Sequence, residues 1–370
     1  MSGKSLTLFG VGDIGPIHEP MDQYTTLVRD TLKTADLRFA QVERVYSKLG
    51  AFQLHSGGAH SRVDPKLASV FTDCGIDVAS VASNHAMDWG PEALLDSIAK
   101  LRAMGIATVG AGANLEEARK PVFIEKNGIR LAFLAYCSVL REGYTAGPNK
   151  PGVAPLRAHT YYETFDYQAG VHPKVVTVPF EEDLRNVVAD IAAAKKSADA
   201  VVVSLHWGVH FIRKVVADYQ RVAMNAIFDA GASLILGHHA HVPKAIESNK
   251  GRVCFYSMSN FIMSATEKTG HQAQQFTERY GAELDPDYPR LPYGADGKRS
   301  MMVKAVFGAS GVEKTSFLPV LIDKQLRPEI LKHGDARFDD AVRYMEWVSE
   351  GFPHKFSVEG DEVVVRDATA

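Results

Sequence analysis

Leu234-Ile235-Leu236-Gly237-His238-His239-Ala240-His241-Val242 is the stretch on which the reading of the fold turns. A short apolar run stops at a glycine and gives way to three histidines in four positions, with Pro243 just beyond. An apolar run of this length bounded by turn residues reads as a buried strand followed by a turn. Imidazoles at the mouth of such a strand stand where a metal or a reacting substrate can be reached, and imidazole is the commonest metal ligand. His239 and His241 are two apart, a spacing that lets a bent turn aim both rings at one point. The alternative is a loop of solvated histidines, and the rest of the chain decides.

Working outward, the same pattern recurs. The apolar run 6–11 ends at Gly12-Asp13, the run 37–42 delivers Glu43, and the run 78–82 leads into Ser83-Asn84-His85. The run 200–205 ends in His206-Trp207-Gly208-Val209-His210. Helical spacing fills the intervals at residues 24–34, 65–74, 91–104, 181–196 and 218–230. Alternating strands and helices imply an α/β fold, in which groups at the carboxyl ends of the strands converge on one crevice. Five strands that each end in a metal-competent side chain are hard to ascribe to coincidence. Carboxylate, amide and imidazole together suit one or two divalent ions such as Mn, Zn or Fe better than a thiolate site would.

Residues 122–126 and 129–136, joined by Asn127-Gly128, form the clearest hairpin. Two long polar stretches, 141–174 and 266–299, read as insertions. An amphipathic helix over 335–350 and a hairpin over 358–366 close the chain. No linker divides the sequence. Residues 1–330 are therefore expected to form the main domain, with the helix and hairpin of 331–370 packed on it.

With 46% hydrophobic and 23% charged residues, the 370-residue chain has the composition of a globular protein with an ample core. Its formal charge of −3, from 41 basic and 44 acidic residues, supplies no electrostatic drive towards nucleic acid or an anionic membrane. Cys74, Cys137 and Cys254 have neither zinc nor disulfide-framework spacing, which suits a reducing compartment. The opening apolar run is too short for a signal-peptide core, and no run approaches membrane-spanning length. A cytoplasmic protein with no nucleic-acid or membrane partner is expected, with room for a homo-oligomer.

Gly10-Val11-Gly12-Asp13-Ile14-Gly15 matches the dinucleotide fingerprint, but Pro16 stands where the required helix should open. No Gly-x-Ser-x-Gly elbow is present, so a serine hydrolase has little support. Arg62 and Arg141 are candidates for clamping an anionic substrate. Trp207, Tyr136 and Tyr144 could line a pocket, although core packing is the commoner fate of such aromatics. His55 and His60 belong to a Ser-Gly-Gly loop expected near the site.

The set Gly12-Asp13, Glu43, Asn84-His85, His206 and Gly-His-His-Ala-His resembles the calcineurin-like metallophosphoesterase pattern. More closely it resembles the CapA (poly-γ-glutamate capsule synthesis) family of that superfamily. The matching pieces are Ala82-Ser83-Asn84-His85-Ala86-Met87-Asp88-Trp89-Gly90, Gly110-Ala111-Gly112-Ala113-Asn114, His206-Trp207-Gly208, Gly237-His238-His239-Ala240-His241-Val242 and Tyr256-Ser257-Met258-Ser259-Asn260-Phe261. They run in the family's order over about residues 6–265.

The resemblance implies a four-layer α/β/β/α sandwich of two mixed sheets, metallophosphatase-like, with a metal centre at the sheet edge. By position, Glu43 would bridge two metals. Asn84, His206 and His239 would complete one site; Asp13 and His241 would serve the other. His85 would contact the substrate and protonate the leaving group. Apart from the resemblance, Asp88 could orient His85 from three residues on, and His210, His238, Arg62 and Trp207 are the candidate substrate contacts. The implied activity is a metal-dependent hydrolase (EC class 3) in which a metal-held hydroxide attacks a small or polymeric anionic amide, lactone or phosphoester. The alternatives are a non-catalytic poly-γ-glutamate binding or assembly protein, and a metallophosphoesterase proper.

Three departures accompany the resemblance. Gly15 replaces the superfamily's first-motif histidine, so one site is a ligand short unless His18, His238 or water supplies it. His210 replaces a glutamate after His-Trp-Gly. The membrane anchor or export signal typical of the family is not evident.

Overall fold

The structure, a computed structural model, describes residues 4–54 and 62–368; His55 and His60 lie outside the described residues. Its frame is a pair of sheets. The larger, ten-stranded sheet is centred on Leu6–Gly15, which pairs in parallel with Leu37–Val42 and antiparallel with Arg299–Gly308. Val78–Ser80 and Ala107–Val109 extend it on one side, Gly311–Ile322 on the other. In the six-stranded sheet, Ile129–Cys137, Ala200–His206, Leu234–His238 and Arg252–Phe255 run parallel in that order. Val122–Lys126 and Ile246–Asn249 close its edges antiparallel.

Side-chain alternation along a strand explains why these sheets stack. In the six-stranded sheet, Leu131, Phe133, Val202, Leu234 and Leu236 share one apolar cluster with Leu6, Leu8 and Phe39 of the larger sheet. Their sequence neighbours Ala132, Leu134, Val201, Val203 and Ile235 lie in a second cluster. That cluster includes Val187 and Ile191 of helix Glu181–Lys195 and Ala223 and Ile227 of helix Asp218–Asp229. One face thus meets a sheet and the other meets helices. Phe39 and Phe133 stack across the inter-sheet space at 6.0 Å, a contact worth about 0.5–1.5 kcal/mol beyond the buried area. Leu94, Ile98 and Leu101 of helix Gly90–Ala103 pack with the larger sheet. The architecture is a four-layer α/β/β/α sandwich, as the sequence predicts.

Local expectations are met where turn chemistry is strong. Asn127 and Gly128 take φ of 54° and 72°, the two positive values that a tight hairpin turn demands. Elsewhere tertiary packing overrides the pattern. The helix expected over 24–34 is split into Met21–Thr25 and Arg29–Leu32, and that over 65–74 opens as a 3₁₀ turn, Pro65–Ala68. Leu6–Gly15 is strand to its last residue, so no helix opens on Gly15 and the dinucleotide reading fails.

The 141–174 stretch contains strand Ala158–Glu163, which pairs with Lys174–Pro179 in a separate, largely exposed hairpin. The 266–299 stretch contributes helix His271–Tyr280. Near the C-terminus, helix Ala336–Ser349 precedes the hairpin of Lys355–Glu359 and Glu362–Arg366, which continues the ten-stranded sheet by pairing Ser316 with Val364. Among the described residues no helix is long and apolar enough to cross a membrane.

Candidate metal centre

Parallel pairing brings the ligand-bearing strand ends level. Asp13 is in register with Asn260, and His206 with His238. Because the two sheets face each other, carboxylates from one meet imidazoles from the other. Asp13, Glu43 and His206 offer ligand atoms that all lie within 4.8 Å of one another, and all three residues are buried.

On one side, His206 Nε2 lies 2.8 Å from Asn84 Oδ1, 3.2 Å from His239 Nδ1 and 3.7 Å from Glu43 Oε2. On the other, His241 Nε2 lies 3.6 Å from Glu43 Oε1, and its Nδ1 lies 3.4 Å from Asp13 Oδ2. Glu43 thus stands between the two groups, one carboxylate oxygen towards each. The His241 tautomer follows from its neighbour. Asn260 Nδ2 donates to the carbonyls of His241 and Gly297 at 3.2 and 2.8 Å, which leaves Asn260 Oδ1 to accept from His241 Nδ1 at 2.7 Å. His241 Nε2 therefore keeps its lone pair for the centre, the usual arrangement around a ligating histidine.

The backbone is bent to achieve this. His239 and His241 take φ of 89° and 55°, conformations that cost a residue with a side chain on the order of 1–3 kcal/mol and cluster at functional sites.

The electrostatics fit a divalent cation. Burial, reinforced by the charge of Asp13, pushes the Glu43 carboxyl well above its ordinary value; Ser83, which donates to Oε2 at 2.9 Å, and Arg44 oppose that rise. Burial first, and neighbouring histidines second, hold His206, His210 and His239 well below the usual imidazole range. Burial likewise lowers His241 to about 4, against the pull of Asp13 and Asn260. Neutral imidazoles are what a metal requires of them. Both oxygens of Asp13 and Oε1 of Glu43 are buried and accept no hydrogen bond among the described residues. Buried anionic oxygens left so are costly unless a cation compensates them. The mixed oxygen and nitrogen set suits the borderline to hard cations expected from the sequence.

With this geometry in view, the chain can be compared with known proteins. The family described as bacterial capsule synthesis protein PGA_cap matches residues 7–265. The chain belongs to the PGA_cap family. It is 34% identical over 204 residues to the PGA biosynthesis protein CapA of Bacillus subtilis, which covers 55% of this chain and 47% of that protein. It is 26% identical over 269 residues to the capsule biosynthesis protein CapA of Bacillus anthracis, covering 70% and 60%. The chain thus spans about half to three-fifths of the length of these relatives. Among solved structures, the calcineurin-like phosphoesterase YfkN of Bacillus subtilis aligns over 94% of this chain and 97% of that one, at 11% identity and a TM-score of 0.42.

In this PGA_cap chain Arg44 fills the space at Gly15, where the sequence resemblance leads one to expect a histidine. A Cβ on Gly15 would meet Arg44 Cγ at 2.7 Å, so no histidine fits there without displacing Arg44. His18 does not take its place; it lines a separate cavity with Arg62 and Arg290. His238 is the nearer group, fully buried, with Nδ1 3.3 Å from Asp13 Oδ1.

His85 is built differently from the inner histidines. Its ring is partly exposed (29%), and Nδ1 lies 2.7 Å from Oδ2 of the fully buried Asp88. Tyr144 donates to Asp88 Oδ1 at 2.7 Å, so the carboxylate is held from both sides. His210 stacks near His239, ring centroids 3.7 Å apart.

Two of the expected substrate contacts lie away from the metal centre. Trp207 is 1% exposed, stacks on Tyr256 and donates its indole N–H to the Tyr256 carbonyl. It follows His206 directly, and strand alternation turns it to the helix-covered face, into the core rather than the crevice. Arg62 lies over the Trp89 ring, 3.4 Å from its centroid, in the cavity that also holds His18.

The sequence reading passed over four groups: Asn260, Ser83, Tyr144 as partner of Asp88, and Tyr293. Asn260 opens the short apolar strand Asn260–Met263, and it lies within the motif Tyr256–Phe261, so that signal was available. Tyr293 stacks on His241 at 4.4 Å from within the polar 266–299 stretch, where no periodicity marks it.

Proposed function

We propose that this chain is a metal-dependent hydrolase acting on an anionic substrate, small or polymeric. The observation that carries the reading is the set of buried, unsatisfied oxygens of Asp13 and Glu43 facing imidazoles held neutral. Asn84, His206 and His239 with Glu43 would hold one divalent ion, and Asp13, His241 and Glu43 a second, with His238 beside the second. A bound ion of this kind supplies Lewis acidity towards an acyl or phosphoryl oxygen and acidifies water.

The protein's own contribution is a proton donor and its support. Asp88 accepts from Nδ1 of His85, which leaves Nε2 as the atom that hands a proton to the leaving group. Tyr144 and the full burial of Asp88 fix the ring's orientation, so the donor is aimed before substrate arrives. His210, whose ring lies beside that of His239, would touch the bound substrate.

The names of the relatives favour an amide or carboxylate-bearing substrate of polyglutamate type. They also favour a second reading, since one pair is called probable polyglutamine synthesis accessory proteins: a non-catalytic protein that holds the polymer during assembly. The two part on metal and turnover. Elemental analysis of purified protein is expected to find Mn, Zn or Fe, and a screen of glutamyl amides, lactones and phosphoesters to find hydrolysis that a chelator abolishes. Protein that carries no such metal and takes none up on reconstitution would sink the hydrolase reading.

A further inference from the structure

A cavity of about 790 Å³ opens where the strands that carry Asp13 and Glu43 continue outward. His18, Arg62, Lys66, Thr266 and Arg290 are among the residues that line it. Its nearest acids are already engaged: Glu19 pairs with Lys66, and Asp64 with Lys48 at 3.5 Å. Among the described residues no carboxylate lies within ion-pair distance of Arg62 or Arg290.

Arg62 is held through its side chain, and Arg290 through its backbone. The Arg62 guanidinium rests on Trp89, and the backbone of Arg290 is tied to the strand end by the Ala265 N–H, which donates to its carbonyl at 2.9 Å. Arg290 also lies close enough to His18 to add to the effect of burial in lowering that imidazole.

The cavity is coupled to the centre through one side chain. Arg44, next to Glu43 in sequence, donates from Nη2 to the Ser264 carbonyl at 2.9 Å, and the hydroxyl of Ser264 accepts from the Ile17 N–H at 2.8 Å in the cavity wall. Arg44 and Ser264 thus join the cavity wall to the residue next to Glu43.

We infer that the cavity is a second oxyanion site, in which Arg62 and Arg290 bind an anionic group of a multiply charged, linear substrate while another part of that substrate occupies the centre. Planar guanidinium forks suit carboxylate and phosphate alike. The inference rests on the reading that the centre acts on an anionic substrate, and it names the class: a polyanion with oxyanions repeated along the chain.

The test is equilibrium binding of a short, fluorescently labelled glutamate oligomer to metal-reconstituted and to chelator-treated protein. A glutamine oligomer serves as the neutral control and tripolyphosphate as competitor. Arg62→Gln and Arg290→Gln are each expected to weaken binding ~10-fold or more, with metal content unchanged, and Arg62→Lys to recover part of the loss because it restores charge without the fork. Arg290 is exposed, so its variant carries little risk to folding. Binding of tripolyphosphate that depends on both arginines, without affinity for the glutamate oligomer, supports the site with phosphate as the oxyanion. Unchanged affinity in both glutamine variants, equal binding of the neutral oligomer, or wild-type protein that binds neither anion overturns the inference. Failure of the hydrolase reading looks different: arginine-dependent binding survives while metal or turnover is missing.

Discussion

The ten-stranded sheet brings Asp13, Glu43 and Asn84 to the centre, whereas the six-stranded sheet brings His206, His238, His239 and His241. Each sheet uses the same local device. A Cβ on Gly12 would lie 2.1 Å from the Ser259 carbonyl oxygen, and one on Gly237 would lie 2.2 Å from that of Tyr256. A glycine just before Asp13, and another just before the His238-His239-Ala240-His241 turn, lets each strand end lie flush against its neighbour.

Burial then acts on the two sets with opposite sign. It raises the acid Glu43 and lowers the bases His206, His239 and His241, driving both towards neutrality. Neither sheet alone satisfies its own groups. A dication shared by both would resolve this, since it would restore the carboxylate charge and use the imidazole lone pairs.

The sharpest way to break this comparison is to remove one ligand from each sheet. Glu43→Ala and His239→Ala are each expected to lose bound metal and to cut kcat/KM by more than the ~100-fold typical of outer partners. Elemental analysis checks this, and full metal occupancy in either variant would contradict the shared site. Outside both ligand sets, His85→Ala should keep its metal and lose ~10²–10⁴ in kcat, and Asp88→Asn ~10–100-fold. Metal loss in His85→Ala equal to that in His239→Ala would erase the distinction between ligand and proton donor.

Acidity separates the sheets in metal-free protein. His241 titrates at about 4 when folded against 6.5 ordinarily, so the unfolded chain binds the proton first. Its contribution is intact above pH ~6.5 and is lost on acidification towards 4, by an amount on the order of 3 kcal/mol. Glu43, shifted upward, acts in the opposite sense, and its effect is felt as pH rises above its ordinary value. His206, His210 and His239 share the direction of His241, so the histidine side should dominate and urea midpoints should fall between pH 7 and 4.5. A midpoint that rises on acidification would show the carboxylate sheet in control. The smallest effect concerns the 266–299 stretch. Tyr293→Leu removes the ring stacked on His241 and should weaken metal binding by about 0.5–1.5 kcal/mol, while Tyr293→Phe keeps the stack and should change it little. Metal titrations that rank the two variants equally would remove Tyr293 from the support of His241.

Sequence alone determined the strand ends, the polar side chains that follow them and the Asn127-Gly128 turn, because apolar runs and turn residues act over a few neighbouring positions. Motif order likewise placed the chain in its family and fold. Only the tertiary structure decided what depends on contacts between distant segments. Arg44 fills the space at Gly15, Asn260 sets the His241 tautomer, Tyr144 anchors Asp88, and Trp207 turns into the core because its neighbour His206 faces the crevice. It also brought Arg62 and Arg290, 228 positions apart, into one cavity, since a guanidinium's partner is set by which strand ends meet and not by its neighbours along the chain.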